Sequence, residues 1–416
     1  MNVIQQCIGK LEPSIRQFLL SLMSGDSKPV GSQVKYHEVI YDLYSCAPQI
    51  LSGVLPYVTG ELLADQMETR LEAVDLVGDI TALHGSSIPE VFQPIFSEFL
   101  KRFTDRDLQV RMSVLEHIKC CLLSNPCRAE APQIISALCD QLMDLNENVR
   151  KQVVAAICDV ACHALNEVPL ETVKLVAERL HDKSLFVKRY TMERLAEIYR
   201  VFCENSSDTV NPNEYDWIPR KILRCFYDKD FRPDIIESVL CESLFPSEFS
   251  VNYMVKHWVE IFSGFDKVEV KALEKILEQK QRLQQEMQKY LVLRKMSQDK
   301  DNPAVQKNIT FCFRVMSRSF ADPKAEESFQ ILDQLKDDNI WKILTNLVDT
   351  NTSFHQTRVY RDDLLKILGG KHQLYEFLDT FYVKCALLLF SKEHVKAVLS
   401  EIVVHKSAED YQRIQS

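Results

Sequence analysis

A chain of 416 residues with a formal charge of −9 has room for several domains or for one long repeat array. Its 10 glycines are too few for turn-rich β-sandwiches, collagen or flexible Gly linkers, and 46% hydrophobic residues exclude wholesale disorder. No apolar run reaches the roughly 20 residues of a membrane span, and the opening MNVIQQCIGKLEPSIRQF lacks the order of a signal peptide, so a soluble, intracellular, helix-rich protein with no membrane partner is expected.

Residues 1–60 read as an N-terminal helical segment, two helical stretches around the polar loop SGDSKPVGSQ at 24–33. Residues 61–203 carry a period near 40. The segments TRLEAVDLVGDI, VRMSVLEHIKCC, VRKQVVAAICDV and VKRYTMERLAEI begin at Thr69, Val110, Val149 and Val187. Counted from Arg70, Arg111, Arg150 and Lys188, the fourth position is Val74, Leu115, Val154 and Met192. The seventh is Val77, Ile118, Ile157 and Leu195, and the tenth is Ile80, Cys121, Val160 and Ile198. One helical face is thus written four times. An aspartate precedes each basic residue by a few positions: Asp65, Asp105, Asp144 and Asp182.

This pattern resembles HEAT repeats, helix pairs that bury their apolar faces only against neighbouring pairs. It predicts an all-α, armadillo-like HEAT solenoid. The aspartate is expected to cap the turn between paired helices and the arginine to reach a neighbouring repeat.

ENSSDTVNPN at 204–213 reads as a break. Residues 214–300 read as irregular helical repeats. They comprise the aromatic block DWIPRKILRCFYDKDF and a long basic helix from about Val268 to Met296, which lacks a sustained coiled-coil seam. After a turn at Asp299–Pro303, residues 301–416 read as C-terminal helical hairpins of the same continuous solenoid.

Charge is uneven along this order. Residues 1–182 carry 15 Lys and Arg against 24 Asp and Glu, residues 183–318 carry 23 against 20, and residues 319–416 carry 12 against 15. The basic middle contains Lys183, Lys188, Arg189 and Arg194, then Lys267, Lys271 and Lys275 on one helical face, extended by Arg282 and Lys289. Such clustering suits a polyphosphate or phosphopeptide. It equally suits a solvated face, because Glu269, Glu274, Glu278 and Glu286 are interleaved at pairing distance.

Catalytic signatures are missing. No Walker loop, dinucleotide fingerprint, H-E-x-x-H or nucleophile elbow occurs. The 13 cysteines are odd in number and include no C-x-x-C, which reads as reduced thiols in apolar stretches such as Cys120, Cys121, Cys158 and Cys385. Cys158, Cys162 and His163 could suggest a metal site, but their spacing and the lack of further ligands favour core positions. No metal, no required cofactor and no enzymatic activity are expected.

Longer stretches carry a more specific likeness. YHEVIYDLYSCAPQIL, LQVRMSVLEHIKCCLLSNP, NENVRK, DKSLFVKRYTMERLAEIYR, KILRCFYDKDF and FDKVEVKALEKILEQKQRLQQ occur in this order. They resemble the precocious-dissociation-of-sisters (Pds) family of cohesin-associated sister chromatid cohesion proteins, plant members above all. The resemblance implies a non-enzymatic HEAT scaffold in the nucleus that binds the kleisin subunit of cohesin, touches chromatin indirectly and regulates cohesion. It also implies inositol hexakisphosphate as a possible ligand, with Lys188, Arg189 and Lys271 as foremost contacts and Tyr190 and Lys275 as lesser ones. Family members are longer, so a shortened product, a fragment or a partial copy is expected, without the docking region for the wings-apart release factor. The alternative to this reading is a generic HEAT adaptor, such as a nuclear-transport or phosphatase scaffold.

Overall fold

A computed structural model describes residues 3–23, 35–83, 92–205, 214–245, 248–299, 303–385 and 392–405. The polar loop at 24–33 lies outside these residues, as do most of the break at 204–213 and the middle of the turn at 299–303. Among the described residues there is no strand, and no helix is long and apolar enough to cross a membrane. The chain divides into two compact units, Met1–Arg194 and Leu195–Ser416.

The first unit opens with α1 (Val3–Met23), α2 (Tyr36–Cys46) and α3 (Leu55–Leu62), the last preceded by a 3-10 turn over Pro48–Gly53. There follow α4 (Met67–Ala82), α5 (Gln93–Lys101), α6 (Leu108–Ser124), α7 (Ala131–Gln141), α8 (Glu147–His163), α9 (Leu170–Ala177) and α10 (Leu185–Asn205), which ends in the second unit. The four repeated segments are α4, α6, α8 and α10. Their fourth, seventh and tenth positions are all buried, none above 7% exposed, so the sequence period is the packing period. Helices α4, α6 and α8 lie side by side, with the shorter helices packed behind them. Gly78 allows the close approach of α4 and α6: a Cβ there would stand 2.5 Å from Cβ of His117. That imidazole lies across α4, with Nε2 3.1 Å from Asp75 and Nδ1 3.4 Å from Asp79.

The second unit continues with α11 (Trp217–Arg224), α12 (Pro233–Ser238), α13 (Val251–Ser263), α14 (Lys267–Asp299), α15 (Pro303–Ser317), α16 (Ala325–Asp333), α17 (Asp338–Leu347), α18 (Phe354–Leu368), α19 (Tyr375–Cys385) and α20 (Lys392–His405). Helix α14 is the long basic helix read from the sequence, 33 residues in one run. Asp266 caps it, accepting from the backbone N–H groups of Val268 and Glu269, while the Glu269 carboxylate accepts from the Asp266 N–H. One face of α14 supplies Leu283, Met287, Tyr290 and Leu291 to a core completed by Phe313, Phe329, Trp341, Leu344 and Phe381. This core draws on six helices at once, unlike the neighbour-to-neighbour packing of α4, α6 and α8.

Candidate functional site

The repeated Asp and Arg of the first unit form a ladder that runs from repeat to repeat. Arg70 donates from Nε and Nη2 to both Asp105 oxygens at 2.9 and 3.0 Å, and from Nη1 to the carbonyls of Ala64 and Asp65. Arg111 reaches Asp144 at 3.3 Å, and Arg150 holds Asp182 in a fork at 2.8 and 2.7 Å. Each of these aspartates also accepts a backbone N–H of its own turn, from Asp107, Asn146 and Ser184 respectively. One carboxylate therefore caps the turn and receives the neighbouring repeat's arginine, as the spacing predicted. Burial alone would raise the Asp105 and Asp182 carboxyls, but the hydrogen bonds from Arg70 and Arg150 and from the backbone outweigh it and hold both below the ordinary value.

Because the ladder fixes the turns, it also fixes what they present. Leu63, Leu108, Met143, Leu145, Leu185 and Phe186 recur at or beside successive turns and are all exposed, Met143 at 71% and Leu145 at 89%. Lys151 lies over the Phe186 ring at 4.1 Å and over Tyr190 at 4.7 Å. Apolar side chains of this size at one repeated edge form a candidate docking surface. Sequence reading missed them because they fall in the turns or at the start of the following helix, outside the repeated apolar face; their recurrence beside each aspartate was the available signal.

The anticipated ligand residues divide between the two units. In the first, Lys188 occupies the ladder position of Arg150 and is only 5% exposed. Arg189 is exposed and pairs with Glu193 at 3.0 Å, and Tyr190 is half-buried beneath Lys151. In the second unit Lys271 and Lys275 are exposed one turn apart on α14. Lys275 faces the Tyr227 ring at 5.4 Å, and Lys271 has no ion-pair partner among the described residues.

The interleaved glutamates are not one solvated row. Glu269 is 1% exposed and accepts from Nε of Arg220 at 3.0 Å and of Arg224 at 2.8 Å, which ties α14 to α11. Glu286 faces Lys289 at 3.6 Å. Off the face read from spacing, α14 also carries a lysine turned inward. Lys280, 2% exposed, lies 3.1 Å from Glu237, whose other oxygen accepts from buried Lys384 at 2.6 Å.

Cys158 is buried, Cys162 half-buried and His163 exposed, and among the described residues no group of three or more His, Cys, Asp or Glu could hold a metal ion. Cys121 and Cys385 are core residues as expected, but Cys120 is exposed because the neighbouring position on a helix turns by about 100° to the solvent face.

Residues 1–416 match the family described as sister chromatid cohesion protein PDS5. The chain is 62% identical to the sister chromatid cohesion protein PDS5 homolog A of Arabidopsis thaliana, over 100% of this chain and 26% of that protein. It is 24% identical to the human PDS5 homolog B, over 94% of this chain and 27% of that protein. The chain thus spans about a quarter of the length of these curated relatives. A solved structure described as the Pds5–Scc1 complex superposes with a TM-score of 0.79 at 17% identity, covering 97% of this chain and 63% of that one, and shows that the fold is shared.

Proposed function

The chain belongs to the PDS5 family of sister chromatid cohesion proteins, and from that premise we propose that it is a non-enzymatic HEAT scaffold that binds a kleisin subunit of cohesin and regulates cohesion on chromatin in the nucleus. The observation that carries this reading is the exposed apolar edge of Leu63, Leu108, Met143, Leu145, Leu185 and Phe186. A rigid ladder behind it presents these side chains at regular intervals, which suits an extended or helical segment with spaced apolar anchors. The solved Pds5 relative is described as a complex with Scc1, which agrees with this choice of partner.

Two substitutions on the surface test it. Leu145→Glu with Phe186→Glu leaves the buried ladder intact, so the helical circular dichroism should not change. Binding of a kleisin linker peptide, followed by calorimetry, should weaken about tenfold or more, equivalent to about 1.4 kcal/mol. Equal binding by the variant, or none by the unaltered chain, defeats the reading.

Inositol hexakisphosphate belongs to the same proposal. Lys188, Arg189, Tyr190, Lys271 and Lys275 are its proposed ligands, and the exposure of Arg189, Lys271 and Lys275 supplies the charge-assisted donors that phosphate oxygens require. Reversing Arg189 and Lys271 is the cleaner experiment, since charge reversal at buried Lys188 would also disturb the fold. Loss of inositol hexakisphosphate binding by Arg189→Glu with Lys271→Glu is expected; retention removes this part.

A further inference from the structure

Further along α14 the exposed face changes character. Lys289, Val292, Lys295 and Met296 lie on the solvent side of the helix, with Val292 52% and Met296 56% exposed. Helix α15 packs directly against α14 and brings a matching row, Lys307, Phe311 and Arg314, spaced four and three residues apart, with Arg318 just past its end. Phe311 is 57% exposed, and Lys289 stands 5.8 Å from its ring centroid, so the two rows meet. Arg282 extends the strip along α14, and from Arg282 to Met296 it runs about 21 Å at the helical rise.

Two features separate this strip from ordinary solvated helix. Three large apolar side chains, Val292, Met296 and Phe311, line it, where a pair of packed helices needs none. Its charge is also one-sided: Lys295, Lys307, Arg314 and Arg318 have no ion-pair partner among the described residues, and the acid placed on the strip, Glu286, is already engaged by Lys289. The buried sides of both helices are fully used, because Tyr290, Ile309, Cys312, Phe313 and Met316 belong to the core. The exposed apolar groups are therefore not a second packing face of the unit.

We propose that this α14–α15 strip is a docking surface for an acidic amphipathic helix of a protein partner, one whose apolar face seats on Phe311, Val292 and Met296 while flanking carboxylates meet Lys289, Lys295, Lys307 and Arg314. Charge complementarity chooses the occupant, and the central apolar row selects a helix over a phosphate backbone, which would leave those side chains in water. The surface shares no residue with the exposed apolar edge proposed for kleisin or with the five proposed inositol hexakisphosphate ligands.

The test uses the full chain and synthetic probes: a leucine-striped helix bearing glutamates between the leucines, the same helix bearing lysines, and a DNA duplex. Fluorescence anisotropy should show binding of the glutamate helix, weakened about tenfold or more by Lys307→Glu with Arg314→Glu, and by Phe311→Ala about fivefold. Leu145→Glu with Phe186→Glu should leave that binding unchanged, and the α14–α15 variants should leave kleisin binding unchanged, so the two surfaces fail independently. Equal affinity for the glutamate and lysine helices overturns the proposal, as does indifference to the α14–α15 substitutions. Duplex binding that exceeds glutamate-helix binding and falls with the same substitutions replaces the peptide by nucleic acid and equally overturns it.

Discussion

Both units bury ion pairs, but they distribute them in opposite ways. In the first, Arg70–Asp105, Arg111–Asp144 and Arg150–Asp182 join residues 32 to 35 positions apart, one pair per repeat junction. In the second, Glu237 draws Lys280 and Lys384 into a single knot, with Lys384 147 positions away. The ladder repeats a local solution, so each rung serves its own junction. The knot gathers α12, α14 and α19 at one point, and the ordering of distant segments depends on it. A buried pair adds little net stability over a well-packed apolar substitute, whereas a broken one is costly. The knot is therefore the more vulnerable arrangement, because two lysines share a single glutamate as their ion-pair partner.

The sharpest test of this contrast is Glu237→Ala, which leaves two ammonium groups buried and should cost at least the about 3–5 kcal/mol expected for one broken buried pair. The three tryptophans, Trp217, Trp258 and Trp341, all lie in the second unit, so their fluorescence reports on it alone. Denaturant unfolding should show the tryptophan transition shifted, with the helical signal of the first unit retained. If both signals shift together, the two units do not unfold separately and the contrast is lost. Replacing all three knot residues by Met should restore much of the stability, since no charge then remains uncompensated.

Arg150→Ala should come next, costing about 3 kcal/mol by leaving buried Asp182 with the longer 3.4 Å pair to Arg179 in place of the Arg150 fork. Arg111→Ala should cost less, about 1–2 kcal/mol, because Arg111 and Asp144 are 15% and 9% exposed and water can replace the lost partner. Both losses should appear in circular dichroism and be silent in tryptophan fluorescence. Equal costs at the two rungs would show that burial does not set the value of a rung.

The remaining expected effect is in acid. Burial pushes His257 and His394 in the second unit down to about 4 from 6.5. A lowered histidine value means that the folded state resists protonation, so this stability is complete above pH 6.5 and erodes as pH falls towards 4. Asp216, pushed up to about 6 by burial, acts in the opposite sense between about 6 and 3.8 and offsets part of the loss. The ladder aspartates Asp105 and Asp182 are held below 3.8, so their contribution is complete above that value and fails only below it. Tryptophan fluorescence should consequently register weakening at higher pH than the first unit does. Simultaneous acid transitions would contradict this order.

Much of the first unit was legible because its information is local. A helix brings residues three, four and seven positions apart onto one face, so four aligned copies identify the buried positions and the Asp–Arg rungs without reference to anything distant. The same logic located α14 and its basic face. It left Lys280 off that face but could not tell that it is buried against Glu237, since what lies opposite a helical face is supplied by another part of the chain. Nor could it separate exposed Cys120 from buried Cys121, or tell that Lys188 is buried rather than on open surface.

What the sequence determined by itself is the family, the helical repeat and the residues that close each repeat junction, all of them consequences of periodicity and of extended likeness. Only the tertiary structure decided which charges are spent on the fold and which are left for partners. Glu269 and Lys280 are consumed by distant arginines and a glutamate, whereas Phe311 and Arg314 remain on the surface. The physical reason is that burial belongs to pairs of surfaces, and here the second surface lies far along the chain, 49 residues for Glu269 with Arg220 and 147 for Lys384 with Glu237.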